Sequence, residues 1–312
     1  MGSTQVITAT TNRGAGVMPA SRRRPPRLRG SWLAALLFIA PTLVLLFVLR
    51  VIPTIEGIIS SFQKSVSALA PPSWAGLNNY VALFENGDFL KVLGITGIFI
   101  VLIVPFQIVV AIFVALLLNE TFRGRGIVRA FIFLPVAAPA AVATVIWGIA
   151  FQPQGPINAV LESVGIPGQP FLTSPSQALI SIIILMSWIG IGYWTLFLIA
   201  GLQDIPGELY EAAALDGAGW WRCFWSVTLP NLRRTLAFVI VADTVSSLIA
   251  FVPVAILTRG GPAGSTRLIM FDVYNNTFVL GDVHLGSAEV TVLIAILVTI
   301  TAIQFRLLGK EK

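Results

Sequence analysis

The sequence predicts an all-α integral membrane protein with six transmembrane helices. Three observations carry this. Of 312 residues, 56% are hydrophobic and 11% charged, with mean hydropathy +0.88; a water-soluble domain carries roughly 25% charged residues. The apolar residues gather in six segments, each near the roughly 20 residues a helix needs to cross a bilayer. The basic residues alternate sides between those segments, as positive-inside sorting requires. Without water in the bilayer, backbone polar groups are met internally only if these segments are helices.

Residues 1–30 are polar and end in Arg22, Arg23, Arg24, Arg27 and Arg29, broken by Pro25 and Pro26. They read as a disordered basic tail on the cytoplasmic side. A secretory signal peptide is the rival, since an apolar stretch follows the charges. That stretch is long for such a peptide, and no small-residue cleavage site follows promptly, so it reads as an uncleaved first span. The six-span domain then occupies 31–312, with spans at 32–52, 92–118, 130–151, 178–202, 235–257 and 285–308. The fifth contains one charge, Asp243, and Glu289 stands near the start of the sixth, where it is expected to be solvated.

With the N-terminus and C-terminus both cytoplasmic, the inner side holds fifteen of the 20 basic residues. The outer side holds Arg50, Lys64, Lys91, Arg259 and Arg267. The net charge of +6 and pI near 10.0 are therefore topological. A nucleic-acid partner would need a basic patch, and none forms. One cysteine, Cys223, and one histidine, His284, exclude a disulfide framework and a His/Cys metal cluster. No metal and no cofactor is expected. No repeat of 20–50 residues appears, and the two halves do not resemble each other, so an internally duplicated carrier is not supported.

The inner segment 203–234 is too long and too apolar for a plain connection. Asp204, Pro206 and Glu208 supply helix-start chemistry. The run from Glu208 to Leu215 favours helix, and Gly217 and Gly219 end or bend it. A second short helix carries Trp220, Trp221, Phe224 and Trp225, and Thr228 with Pro230 caps and starts the fifth span. The expectation is a helix–turn–helix under the membrane, with small residues at Ala212, Ala213 and Ala214 and acids at Glu211 and Asp216. Small side chains allow close approach by another protein, and the aromatic half suits the lipid interface. An interfacial amphipathic helix without a partner is the alternative.

The spacing Glu211-Ala212-Ala213, three residues, Gly217, nine residues, Val227-Thr228-Leu229-Pro230 resembles the EAA loop of permeases in binding-protein-dependent ABC importers; Val227 replaces the usual Ile. Gly76-Leu-Asn-Asn-Tyr with Leu83-Phe84, Arg123-Gly-Arg-Gly with Phe133-Leu134-Pro135, and Leu257-Thr-Arg-Gly-Gly-Pro262 with Thr266 are similar to further segments of the carbohydrate (maltose-type) members, in family order. The resemblance runs from about residue 30 onwards. It implies a type I ABC importer fold in the bacterial inner membrane, with an EAA coupling helix. Glu211, Ala212, Ala213, Asp216, Gly217, Leu229 and Pro230 would couple to an ATP-binding subunit. The chain has no G-x-x-x-x-G-K-[ST] stretch, so it is not expected to be an enzyme, and the motor would be a separate chain. An extracytoplasmic solute-binding protein would deliver a sugar, and a second permease subunit, a different chain, would complete the pathway.

Ionisable groups inside a membrane are functional candidates. Asp243, Ser246, Ser247, Gln107, Trp188, Tyr193 and Trp194 form the set available to hydrogen-bond and stack on a sugar. Each has a structural alternative: Asp243 as an interhelical partner for Arg or Trp, the Trp residues as packing, Gln107 as a partner for backbone freed by Pro105. The family's "F-D-x-I-Y-x-L-T" reads Phe251-Val-Pro-Val-Ala-Ile-Leu-Thr258 here, so the usual acid is Val252 and the usual Tyr is Ala255. Relatives' contacts there do not transfer. Import of another polyol-like solute such as glycerol phosphate is the alternative, although no Arg or Lys lies in the middle of a span to hold a phosphate, Arg50 and Arg306 standing near span ends. A secondary carrier, or an intramembrane enzyme built on His284, Asp282 and Glu289, is the more distant alternative.

Overall fold

The computed structural model describes residues 31–65, 71–85 and 87–308. The basic tail 1–30 lies outside the described residues, as do Lys310 and Lys312. The chain divides into two compact units, 1–52 and 53–312. In the first, α1 (Ser31–Leu46) runs on through a π-helical turn, Phe47–Val51. Leu37, Phe38 and Leu45 stand exposed on it. Apolar residues all round a helix suit a lipid surrounding.

The second unit is entered through α2 (Ile52–Ser60). A short antiparallel hairpin follows, β1 (Gln63–Lys64) and β2 (Ser73–Trp74), with Gln63 opposite Trp74. Phe62 stacks on Trp74 at 5.5 Å. After it comes α3 (Asn78–Glu85), where the Asn79 amide donates to the carbonyls of Ser61 and Gln63. These bonds fasten the segment to the end of α2.

The long helix α4 (Asp88–Asn119) carries Pro105 without breaking. It is succeeded by α5 (Arg125–Ala137), α6 (Ala140–Ala150), α7 (Pro156–Ser163) and α8 (Ala178–Gln203). The core forms where α4 and α8 lie along each other, through Phe99, Ile103 and Leu118 on one and Ile182 and Leu198 on the other. Small residues permit the approach: Ala111 and Ala115 are fully buried. On α8, a Cβ at Gly192 would strike the Ile132 carbonyl, so α5 packs there against bare backbone. Membrane helices use such small residues to gain contact where lipid gives no hydrophobic drive.

Further along are α9 (Gly207–Leu215), α10 (Trp220–Cys223), a π-helical turn at Phe224–Thr228, and α11 (Leu229–Leu248), which packs on α4, α8 and α13. A π-helical turn at Val254–Thr258 precedes α12 (Ile269–Tyr274), which runs into another at Asn275–Val279. The last helix is α13 (Val283–Leu308).

Four described helical runs are long and apolar enough to cross a membrane: Leu36–Ser60, Asp88–Asn119, Ala178–Gln203 and Val283–Leu307. A fifth is reached if α5 and α6 count as one broken span, bent by 104°. The sequence predicts a single third span over 130–151. The break falls at Ala138, whose ψ is 132°, ahead of Pro139; proline's ring excludes the preceding residue from helical conformation. The described residues thus give four or five such runs and not the expected six, because the segment expected as a span over 235–257 does not form one long apolar helix. Helix α11 starts earlier, at Leu229, and stops at Leu248, and helix resumes at Val252. Arg233, Arg234 and Asp243 reduce its apolar character, and Pro253 sits at the start of the second piece, where its missing N–H costs nothing.

Glu289 is 1% exposed, against the expectation of a solvated site. The α12 segment folds against the first turns of α13, and Gly286 gives it room, since a Cβ there would collide with Thr277. Asp282 accepts the Leu285 N–H at 3.0 Å, opening α13. His284 instead bridges the hydroxyls of Ser60 and Ser65 at 3.0 and 2.9 Å.

Candidate functional site

Helices α4, α8 and α11 line a half-open cavity of about 290 Å³. Six of the seven side chains that the sequence singled out for a pathway line it: Gln107, Tyr193, Trp194, Asp243, Ser246 and Ser247. They come from three helices and converge because α11 crosses the α4–α8 pair. Trp188, the seventh, is not among the lining residues; it meets Trp147 edge-on at 5.9 Å and is 37% exposed.

The polar groups are ordered by one another. The Trp194 indole N–H donates to Gln107 Oε1 at 3.1 Å, and Gln107 Nε2 donates to Ser187 Oγ at 3.4 Å. Gln107 therefore bonds side chains on α8 and not backbone freed by Pro105. Asp243 is 2% exposed, and the side chains of Trp194 and Ser247 approach its carboxyl. Its Oδ2 and the Ser247 Oγ are buried without a hydrogen-bond partner. Buried polar atoms are normally satisfied, and Ser247, one turn from Asp243 on α11, is the hydroxyl placed to satisfy its carboxyl. Ser187 and Gly190 were not found from sequence. Both lie on the Trp194 face of α8, at helical spacings of seven and four, which is the signal that could have found them. A Cβ on Gly190 would collide with the Gln107 amide. Glycine there lets the amide lie flat on α8. The wall is completed by Ala250 to Pro253, at the interruption after α11. Broken helices commonly line solute sites in membrane transporters.

At the N-terminal end of α11 lies the segment that resembles the EAA loop. Pro206, with ψ 131°, precedes α9, and Asp204 is not its cap: Asp204 still closes α8, its N–H bonded to the Ala200 carbonyl. At the other end Gly217 takes φ 70°. The Ala218 N–H bonds the Ala213 carbonyl at 2.9 Å and the Gly217 N–H bonds the Ala214 carbonyl at 3.0 Å. This pair is a Schellman motif, whose left-handed position glycine fills without strain. Glu211, Ala212, Asp216 and Pro230 are exposed, while Ala213 and Leu229 are half-buried. Thr228 does not cap α11; its hydroxyl meets Tyr210 at 3.1 Å and ties α9 to the π-helical turn. The exposed Trp220, Trp221 and Trp225 project from α10 and that turn.

Residues 107–311 match the family described as "Binding-protein-dependent transport system inner membrane component". The chain belongs to this family: it is an inner-membrane permease component of a binding-protein-dependent transport system. It is 32% identical over 277 residues to an sn-glycerol-3-phosphate transport system permease of Agrobacterium fabrum, covering 88% of this chain and 94% of that one. It is also 32% identical over 278 residues to a trehalose/maltose transport system permease of Thermococcus litoralis, covering 88% and 92%. Its fold is similar to a chain of a bacterial alginate ABC transporter solved in complex with an alginate pentasaccharide-bound periplasmic protein, with TM-score 0.78, 21% identity and coverage of 88% and 93%.

Proposed function

We propose that this chain is one of two permease subunits in an ATP-driven importer of a neutral sugar. The observation that carries the substrate class is the cavity. Its walls present a carboxylate, two serine hydroxyls, an amide and three aromatic side chains, and no Lys or Arg. Carboxylate and amide groups hydrogen-bond sugar hydroxyls, and the rings stack on C–H faces. A phosphate ester would bring an anion beside Asp243 with no guanidinium or ammonium to pair it. The relatives named for glycerol phosphate and for maltose support a polyhydroxylated solute in common.

In this reading the chain crosses the inner membrane six times with both termini cytoplasmic. The exposed face of α9, with Glu211 and Ala212 and the half-buried Ala213 beside them, docks on an ATP-binding subunit, and Gly217 and Pro230 fix its angle to α11. A solute-binding protein delivers the sugar from outside, and a different permease chain supplies the other half of the pathway. The test is ATP-dependent uptake by the assembled transporter in proteoliposomes, with binding protein inside the assay. Neutral oligosaccharides should compete for transport and sn-glycerol 3-phosphate should not, and Asp243→Asn should raise the KM for the sugar at least about tenfold, the loss of one charged hydrogen bond. Competition by glycerol phosphate alone would replace the neutral-sugar reading. Uptake that proceeds fully without an ATP-binding subunit would remove the importer reading altogether.

A further inference from the structure

Away from the cavity, a second buried polar cluster forms where α12 and its π-helical turn pack on α13. Arg267 pairs with Asp272 through its Nε and Nη2. Asn276 donates its amide to Glu289 Oε1. Glu289 Oε2 is buried and meets no donor, and the Glu289 carboxyl lies against that of Asp272, itself 2% exposed. The cluster thus sets two carboxyls against one guanidinium. Two carboxyls in contact and out of water do not both ionise. An acceptor facing an acceptor needs a proton between them.

We propose that Asp272 and Glu289 form a proton-binding site that latches the α12 segment onto α13. The proton is carried by Glu289 and donated to Asp272, because Arg267 already holds Asp272 as the anion. Burial holds the Asp272 carboxyl above its ordinary range, and the Arg267 guanidinium opposes that rise. The Arg267 side chain is 33% exposed and forms the solvent edge of the site. From α4, Asp88 acts on both Asp272 and Arg267 and is paired with Lys91 at 2.8 Å. From α3 come Glu85 and Tyr80, the latter bonded to Ser61 at 2.7 Å. From α11, Asp243 faces the cavity, and Arg233 and Arg234 stand in its first two turns. On α12 itself Tyr274 stacks with Phe251 at 5.0 Å. On α13, His284 is engaged with Ser60 and Ser65, and Arg306 lies in the last turn. Among the described residues, Arg267 is the one cation acting on Glu289.

The packed arrangement holds one proton more than an opened one, in which both acids are hydrated. Linkage then favours packing at low pH and opening as pH rises, by about tenfold per pH unit over the range in which the opened acids are ionised and the packed pair still holds its proton. Hydrogen exchange over residues 269–280 reads this opening in the full chain, assembled with its partner subunits in lipid nanodiscs. Corrected for intrinsic exchange chemistry, wild-type protection should fall by about tenfold per pH unit across the transition. Glu289→Gln, whose amide donates to Asp272 without titrating, should hold protection flat. A flat wild-type profile overturns the latch whether or not the variant assembles. Equal pH dependence in Glu289→Gln also overturns it, as does protection that follows sodium concentration instead of pH.

Discussion

Gln107 shows how single residues set the cavity's chemistry. Its amide is held by the Trp194 indole and the Ser187 hydroxyl and lies on the bare backbone of Gly190. Gly190→Ala should displace it, leaving buried donors and an acceptor unmatched, at roughly 1–3 kcal/mol. The expected outcome is a KM for uptake raised about tenfold with the amount of protein in the membrane unchanged. Trp194→Phe should act in the same direction by removing the donor. Trp188→Phe should leave transport at wild-type values, because Trp188 packs with Trp147 away from the cavity. If Trp188→Phe proves the more damaging, the assignment of this cavity to the solute fails. The sequence could nominate Asp243, Gln107 and the aromatic residues because polar groups are rare in apolar segments. It could not choose between Trp188 and Trp194, six residues apart on one helix, since that depends on which face meets α4 and α11.

At the scale of elements, the end of α9 separates two effects of one position. Gly217 has φ 70°, and a Cβ there would meet nothing within 4 Å. Gly217→Ala therefore costs only the left-handed conformation, about 1–2 kcal/mol, and uptake should persist. Gly217→Arg adds bulk and charge on the exposed turn. It should abolish ATPase-coupled uptake while the protein still inserts. Similar losses from both substitutions would make the position one of helix geometry and remove its docking role. The Schellman ending was legible because glycine after a helix-favouring run has a specific backbone reason. The ends of the third and fifth spans were not. Pro139 and Pro253 marked possible breaks, yet a proline inside an apolar run can be absorbed, as Pro105 is in α4. Hydropathy measures solvation, and it does not register a bend that keeps both halves apolar.

For the whole molecule, charge placement predicts orientation. Single cysteines at Asp216 and at Gly264, in a chain whose Cys223 is replaced by Ser, should react with a membrane-impermeant reagent from opposite sides: Asp216 only from the cytoplasm and Gly264 only from outside. Labelling of both from one side would undo the six-crossing topology. The exposed α9 face and the α10 tryptophans also predict that an ATP-binding subunit co-purifies with the wild-type chain and is lost with Gly217→Arg.

The sequence by itself determined that this chain lives in a membrane and that its apolar residues gather in long segments. These follow from local quantities: hydropathy over a window, charge on a loop, glycine and proline at helix ends. The spacing of the EAA-like segment also pointed to the permease family that residues 107–311 match. Only the tertiary structure decided which polar residues meet. Asp243 and Gln107 are 136 positions apart and share a cavity because α11 crosses α4 and α8. Glu289, which looks solvated in sequence, is buried against Asp272 because α12 folds back onto α13. Burial of a charge depends on what packs over it, and that is a property of the assembled helices.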